Sequence, residues 1–308
     1  MKRLTLKHLR YFEALARWNH FGRAAESLAL SQPALSVQMK ELEEILGAPL
    51  LERGARQVTL TSLGEDFALR ARKILQSVEE LGELARATDG PLTGTLRLGV
   101  IPTIAPYLLP ATIKLLTLRH PALDVRPREA VTQKLIDDLL EGRLDTAIVA
   151  LPISENALHE EPLFHEDFLL VRPLEDAQKP VPRPENLREM RLLLLEEGHC
   201  FRDQALSYCS PSPSQLRDLM EGSSLSTLVQ MVGAGIGVTL IPEMAMALET
   251  RTAPVCVADL PEPRPFRRIG MVWRKTSPLF GQMQQIAHLV RDAAQGQEAA
   301  RPTAPVVG

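Results

Sequence analysis

The sequence predicts an α/β chain with an all-α head: a helical head, one long connecting helix and a body of alternating strands and helices. Three observations carry this. Residues 6–46 place apolar side chains three and four positions apart, with short breaks between runs. Phe67, Ala71, Ile74, Val78, Leu81 and Ala85 follow at spacings of 4, 3, 4, 3 and 4. Beyond Gly94, short apolar runs alternate with helical stretches to about residue 295.

In the head, Leu9, Phe12, Leu15 and Ala16 mark a helix over Leu6–Arg17, and Ala24, Ala25 and Leu28 a second over Arg23–Ala29. Ser31 is a good N-cap, and Pro33 is tolerated in a first helical turn. Leu35, Met39, Leu42 and Leu46 then form a buried stripe. The free side of that third helix displays Gln32, Ser36 and Lys40, with Gln38 on the flank. Small Ala24 and Ala25 let two helices cross closely, so a tight turn presents a capped, polar helix to a DNA groove. An ordinary helical hairpin gives the same periodicity.

The long helix starts at Thr61 or Ser62, and its heptad seam suits pairing with a second copy, unless the stripe packs on its own domain. Asp89-Gly90-Pro91-Leu92-Thr93-Gly94 reads as a hinge. The expected divisions are a head over 1–60, a linker helix over 61–90, a body over 91–295 and a disordered Gln/Ala/Pro-rich tail over 296–308. In the body, strands are expected at Thr95–Ile101, Asp124–Glu129, Thr146–Leu151, Phe168–Arg172, Leu192–Leu195, Gly237–Ile241 and Ile269–Trp273. Helices between them imply parallel sheets in two small subdomains.

The bulk numbers set bounds. The 308 residues suit about two domains, and 45% hydrophobic content supports real cores. No apolar run is long enough for a membrane helix, so no membrane partner is expected, and the charged N-terminus does not read as a signal peptide. Three cysteines do not make a disulfide framework; a reducing, cytoplasmic compartment follows. The net charge is −3, yet residues 1–58 hold nine Lys/Arg against six Asp/Glu, a basic head on an acidic body.

Cys200 and Cys209 bracket a segment that reads as a short helix. Nine helical residues advance about 13.5 Å and rotate about 900°, placing the thiols on opposite faces. A disulfide needs Cα atoms within about 7 Å. The pair is therefore either inert or a switch that must unwind its helix to bond. Cys200 stands at the predicted helix start, where free amide N–H groups and the helix dipole favour thiolate. His199 and Asp203 are adjacent hydrogen-bonding groups, and Arg202 or Arg267 supplies positive charge. Cysteines and histidine scattered over a helix do not match zinc spacing, so no metal and no cofactor are expected. Cys256, with no motif around it, reads as a small apolar residue.

Phe21, Ala24-Ala25, Leu28, Ser31-Gln32-Pro33-Ala34-Leu35-Ser36, Gln38-Met39, Leu42-Glu43, Leu46-Gly47, Leu50-Leu51 and Arg53 together resemble the LysR-type regulator family. Many members carry Phe where this chain has Leu51. The resemblance implies a winged helix-turn-helix contacting double-stranded DNA through Ser31, Gln32, Pro33, Ser36, Gln38 and Lys40, with Arg53 and Arg56 of the wing near phosphates. It further implies a periplasmic-binding-protein-like effector domain of two Rossmann-like subdomains, a homotetramer built as a dimer of dimers, and contact with RNA polymerase.

Further motifs narrow the likeness to the peroxide-sensing members. They are Ile101-Pro102-Thr103, Pro106-Tyr107-Leu108-Leu109-Pro110, Gly198-His199-Cys200, Arg202-Asp203-Gln204-Ala205, Cys209, Ser224-Leu225 and Arg267. The resemblance implies that Cys200 is the peroxidatic residue toward hydrogen peroxide and Cys209 the resolving one. It also implies that Thr103 and Thr132 complete the pocket, with His199, Asp203 and Arg267 in support. Two other readings stand beside this one: a LysR-type regulator sensing a metabolite in the interlobe cleft, and a thiol peroxidase. The enzyme is disfavoured, because a catalyst needs neither a DNA-binding head nor a dimer seam.

Overall fold

A computed structural model describes residues 3–52, 58–84, 92–187, 190–209 and 220–299. The chain forms two compact units, Met1–Thr88 and Asp89–Gly308.

In the first unit, α1 (Leu6–Trp18) is capped reciprocally: Thr5 Oγ1 accepts from the His8 amide and His8 Nδ1 accepts from the Thr5 amide, both at 3.3 Å. Helix α2 (Phe21–Ser27) is capped by His20, whose Nδ1 accepts from Gly22 and Arg23 amides. Helix α3 (Gln32–Leu46) starts at Ser31, whose hydroxyl accepts from the Ala34 amide at 3.4 Å, and stops at Gly47 with φ +70°. Phe12, Leu15, Leu35, Leu42 and Leu50 are fully buried around the small crossing residues Ala24 and Ala25.

A Leu51–Leu60 antiparallel bridge and a Glu52 amide bond to the Thr59 carbonyl begin a hairpin. Arg53 and Arg56 lie beyond it, outside the described residues. Helix α4 (Ser62–Leu84) returns to the head at its start. Gly64 lets it: a Cβ there would stand 2.2 Å from the Leu50 carbonyl oxygen.

The heptad stripe on α4 divides. Phe67 meets Phe12 edge-on at 5.3 Å and Ala71 is buried, so the first turns pack on their own domain. Ile74 and Leu81 are 46% and 65% exposed. Ala85 lies outside the described residues, as do residues 89–91 of the predicted hinge.

The second unit runs β1 (Gly94–Val100), α5 (Ala105–Arg119), β2 (Leu123–Glu129), α6 (Thr132–Leu140), β3 (Thr146–Leu151) and β4 (Leu158–Pro173). It continues with α7 (Pro184–Leu187), β5 (Leu193–Leu195), α8 (Cys200–Cys209), β6 (Met220–Gly222), α9 (Leu225–Gly233) and β7 (Thr239–Pro242). It closes with α10 (Met246–Glu249), β8 (Val255–Asp259), β9 (Phe266–Arg274) and α11 (Phe280–Ala299).

The sheet order is β2-β1-β3-β9-β4-β7, with β8 also on β4, and β5-β6 form a separate ladder. Pairs β1/β2, β1/β3 and β5/β6 are parallel; β3/β9, β4/β9, β4/β7 and β4/β8 are antiparallel. The expected all-parallel sheets are thus corrected to mixed ones. The reason is β4, which pairs β9 along Leu158–Asp167 and then β7 and β8 along Phe168–Pro173. It runs from one lobe into the other. Its first half carries His159, Glu160, Glu161, Pro162, His165, Glu166 and Asp167, with a bulge between Pro162 and Phe164, and so lacks an apolar strand pattern. Strands β6 and β8 were likewise not expected.

Two cores result. Leu98, Val100, Ile148, Met271, Trp273 and Ala287 belong to the first lobe, and Phe168, Leu170, Leu193, Val229 and Leu240 to the second. Helix α11 continues to Ala299, so the tail expected to be disordered from 296 begins as helix: Ala, Gln and Glu are good helix formers. Residues 300–308 lie outside the description.

Candidate functional site

The chain folds so that β5 ends in a tight turn feeding α8. Gly198 makes the turn at φ +92°, a left-handed conformation suited to glycine. Val131, just before α6, stands 3.9 Å from where a Gly198 Cβ would sit. The start of α8 therefore faces the start of α6.

Cys200 and Cys209 are the first and last residues of α8, and both are free thiols. Cys200 is half-buried and packs against the first lobe's core, whereas Cys209 is 1% exposed and belongs to the second lobe's core. Burial pushes the Cys209 thiol up to about 11 from an ordinary 9. As reduced, then, Cys209 is a protonated thiol about 13.5 Å along a helix from its counterpart.

Arg267 is buried and hydrogen-bonded through all three of its guanidinium nitrogens. Its Nε donates to Glu166 Oε2 at 2.8 Å, Nη1 to Thr103 Oγ1 at 2.7 Å and Nη2 to the Thr103 carbonyl at 3.0 Å. Its guanidinium lies 5.5 Å over the ring of Phe201, the neighbour of Cys200. Glu166 also accepts from the Met244 amide at 2.7 Å. The loop after β1, strands β4 and β9, the segment after β7 and the first turn of α8 are thus cross-tied. Glu166 neutralises Arg267 within the cluster.

Thr132 opens α6, and its buried hydroxyl has no hydrogen-bond partner among the described residues. A buried polar atom left unpaired suits a small hydrogen-bonding guest. Burial depresses the His199 pKa, with the Glu196 and Glu129 carboxylates pulling the other way, so the ring is neutral at pH 7. Arg202 is drawn away, donating to the Leu195 carbonyl at 2.9 Å and to Glu221 at 2.5 Å. Asp203 stands exposed on the first turn of α8, outside this network. Cys256, on β8, donates to the Pro173 carbonyl at 3.4 Å.

Thr103 and Arg267 are therefore in contact, Thr132 and His199 flank the same turn through Val131–Gly198 and Glu129, and Asp203 is not gathered with them. Sequence reasoning missed Glu166 and Phe201. It quoted Tyr107 without a role. That residue leaves α5 of the first lobe, enters the second lobe's core and donates to Glu249 at 2.6 Å, beside a Ser226–Glu249 bond of 2.5 Å. Burial and that carboxylate raise the Tyr107 pKa, keeping the phenol a donor. Among the described residues, no group of three or more His, Cys, Asp or Glu could hold a metal, and no helix is long and apolar enough to cross a membrane.

On the head, Gln32, Pro33 and Lys40 are exposed and Ser36 half-buried along α3. The Ser31 hydroxyl serves the cap, and Gln38 Nε2 donates to Glu41 at 3.1 Å, holding that amide on the helix surface.

Residues 6–65 match the family described as bacterial regulatory helix-turn-helix protein, lysR family, and residues 89–295 match the LysR substrate binding domain. A probable hydrogen peroxide-inducible genes activator of Streptomyces viridosporus is 44% identical over 94% of this chain and 94% of its own length. The DNA-binding transcriptional dual regulator OxyR of Escherichia coli K12 is 39% identical over 95% of this chain and 97% of its own. A full-length OxyR variant from Pseudomonas aeruginosa superposes with a TM-score of 0.76 at 38% identity, covering 94% of this chain and 96% of that one. A hydrogen peroxide-bound OxyR mutant from Corynebacterium glutamicum gives 0.66 at 36% identity, over 96% and 94%. The chain belongs to the LysR family of helix-turn-helix regulators, in the group formed by OxyR and the hydrogen peroxide-inducible genes activators.

Proposed function

We propose that this chain is a DNA-binding transcription regulator switched by hydrogen peroxide through its two α8 thiols. The Cys200 thiolate attacks the peroxide O–O bond; one oxygen stays as sulfenic acid and the other leaves as hydroxide, which takes a proton to become water. The Cys209 thiol then displaces the second oxygen as water, and the disulfide forms. One peroxide is reduced to two waters and two thiols are oxidised. Thr103, with Arg267 behind it, and the unpaired Thr132 hydroxyl hold the peroxide; neutral His199 lines the turn.

The observation that carries this reading is the partition of the thiols. They end one helix, with Cys200 half-buried against the first lobe's core and Cys209 inside the second's, so joining them unwinds α8 and withdraws Cys209 from the second lobe. A local bond therefore becomes a change in the lobe. That change resets the pairing of effector domains in a homotetramer, the spacing of paired heads on DNA and contact with RNA polymerase, in the cytoplasm. Exposed Ile74 and Leu81 support linker-helix pairing. Arg53 and Arg56 serve as phosphate contacts. The chain acts as a stoichiometric sensor, not as a turnover enzyme.

The test is alkylation mass spectrometry of full-length protein after one equivalent of peroxide. A Cys200–Cys209 cross-linked peptide is expected, and Cys209→Ser should stop at Cys200 sulfenic acid. Two free thiols would refute the proposal.

A further inference from the structure

Helix α3 buries Leu35, Met39 and Leu42. At 100° per residue, Val37 points about 200° from both Leu35 and Met39, the outermost direction on the helix. It is 61% exposed. Gln32, Ser36 and Lys40, the groove candidates from sequence, run along one flank, and exposed Pro33 lies one turn before Val37. The centre of the presented face is therefore apolar for two turns.

An exposed valine lowers helix propensity, so local structure does not explain it. Its isopropyl group neither donates nor accepts a hydrogen bond. Set against a base donor or acceptor, it would strip water and return nothing. The base-pair edges of the major groove display one apolar group, the 5-methyl of thymine. The β-branched side chain is held in one rotamer on a helix, so little freedom is lost on contact.

We infer that Val37 is a specificity-determining residue that reads a thymine 5-methyl group at the centre of each half-site. This rests on the DNA-binding reading above. It differs from the polar contacts of Gln32, Ser36 and Lys40, which read donors, acceptors and phosphates.

The experiment uses full-length protein and a duplex selected from a random library. Thymines are replaced one at a time by deoxyuridine, which keeps every hydrogen-bonding group and removes only the methyl. Wild type should lose about fourfold in affinity, ~0.8 kcal/mol, at one thymine per half-site. Val37→Ala, at an exposed site that leaves folding intact by circular dichroism, should bind the parent duplex more weakly and become indifferent to deoxyuridine there. Val37→Ile should stay sensitive. A selective complex whose methyl dependence is absent, or unchanged in Val37→Ala, overturns this inference alone. A chain forming no sequence-selective complex overturns the DNA-binding reading and the inference together.

Discussion

Replacing Ala205 by glycine weakens α8 while changing neither thiol. Ala205 lies at the middle of the helix and is fully buried. Glycine costs about 1 kcal/mol in helix propensity. Removing the buried methyl costs ~0.8 kcal/mol more. If the disulfide forms only when α8 unwinds, this cost of about 1.8 kcal/mol falls on the dithiol state alone. Destabilising the reduced form lowers the reduction potential. For a two-electron couple 30 mV is about 1.4 kcal/mol, so the midpoint should move by about 40 mV in the negative direction. The assay is equilibration in thiol–disulfide buffers, with the disulfide fraction read by mass spectrometry. Ala287→Gly in α11, equally buried but outside the switching helix, is the control and should leave the potential in place. A potential unchanged in Ala205→Gly, with reduced and oxidised forms destabilised alike, would show that α8 persists in the disulfide state and refute the argument.

Other outcomes follow from the same geometry. The folded pKa of Cys209 is raised to about 11 from 9, so its contribution to stability is complete below pH 9 and is lost as pH rises through 11. Denaturation should register a fall of about 2–3 kcal/mol over that window, largely absent in Cys209→Ala. Tyr107→Phe removes a donor from buried Glu249 and should cost ~1–3 kcal/mol in urea unfolding. Gly64→Ala drives a Cβ into the Leu50 carbonyl and should destabilise the head by about 1–3 kcal/mol in a thermal melt. Arg53→Ala should weaken DNA binding across all sequences and reduce the salt slope by about one.

The head was legible because its information is local. Ser31, Pro33 and Gly47 mark the ends of α3 within a few residues of where they act, and Leu35, Met39 and Leu42 repeat at the helix period. Helix α8 was legible for the same reason. The failures share a cause too. The first half of β4 has no apolar alternation, because its charged residues satisfy partners far along the chain: Glu166 meets Arg267, and Glu161 meets Arg291. Nothing within a local window signals such pairs. Val37 was passed over because an apolar residue among polar ones reads as noise until its exposure is known.

The sequence by itself determined a capped helix-turn-helix, a helix bearing a cysteine at each end, and the family to which both belong. Tertiary structure alone decided that β4 runs through both lobes, that Glu166 neutralises Arg267, and that Cys200 packs against one core while Cys209 is buried in the other. Helix periodicity and capping act over a few residues, whereas strand pairing and core membership depend on which distant segments exclude water together.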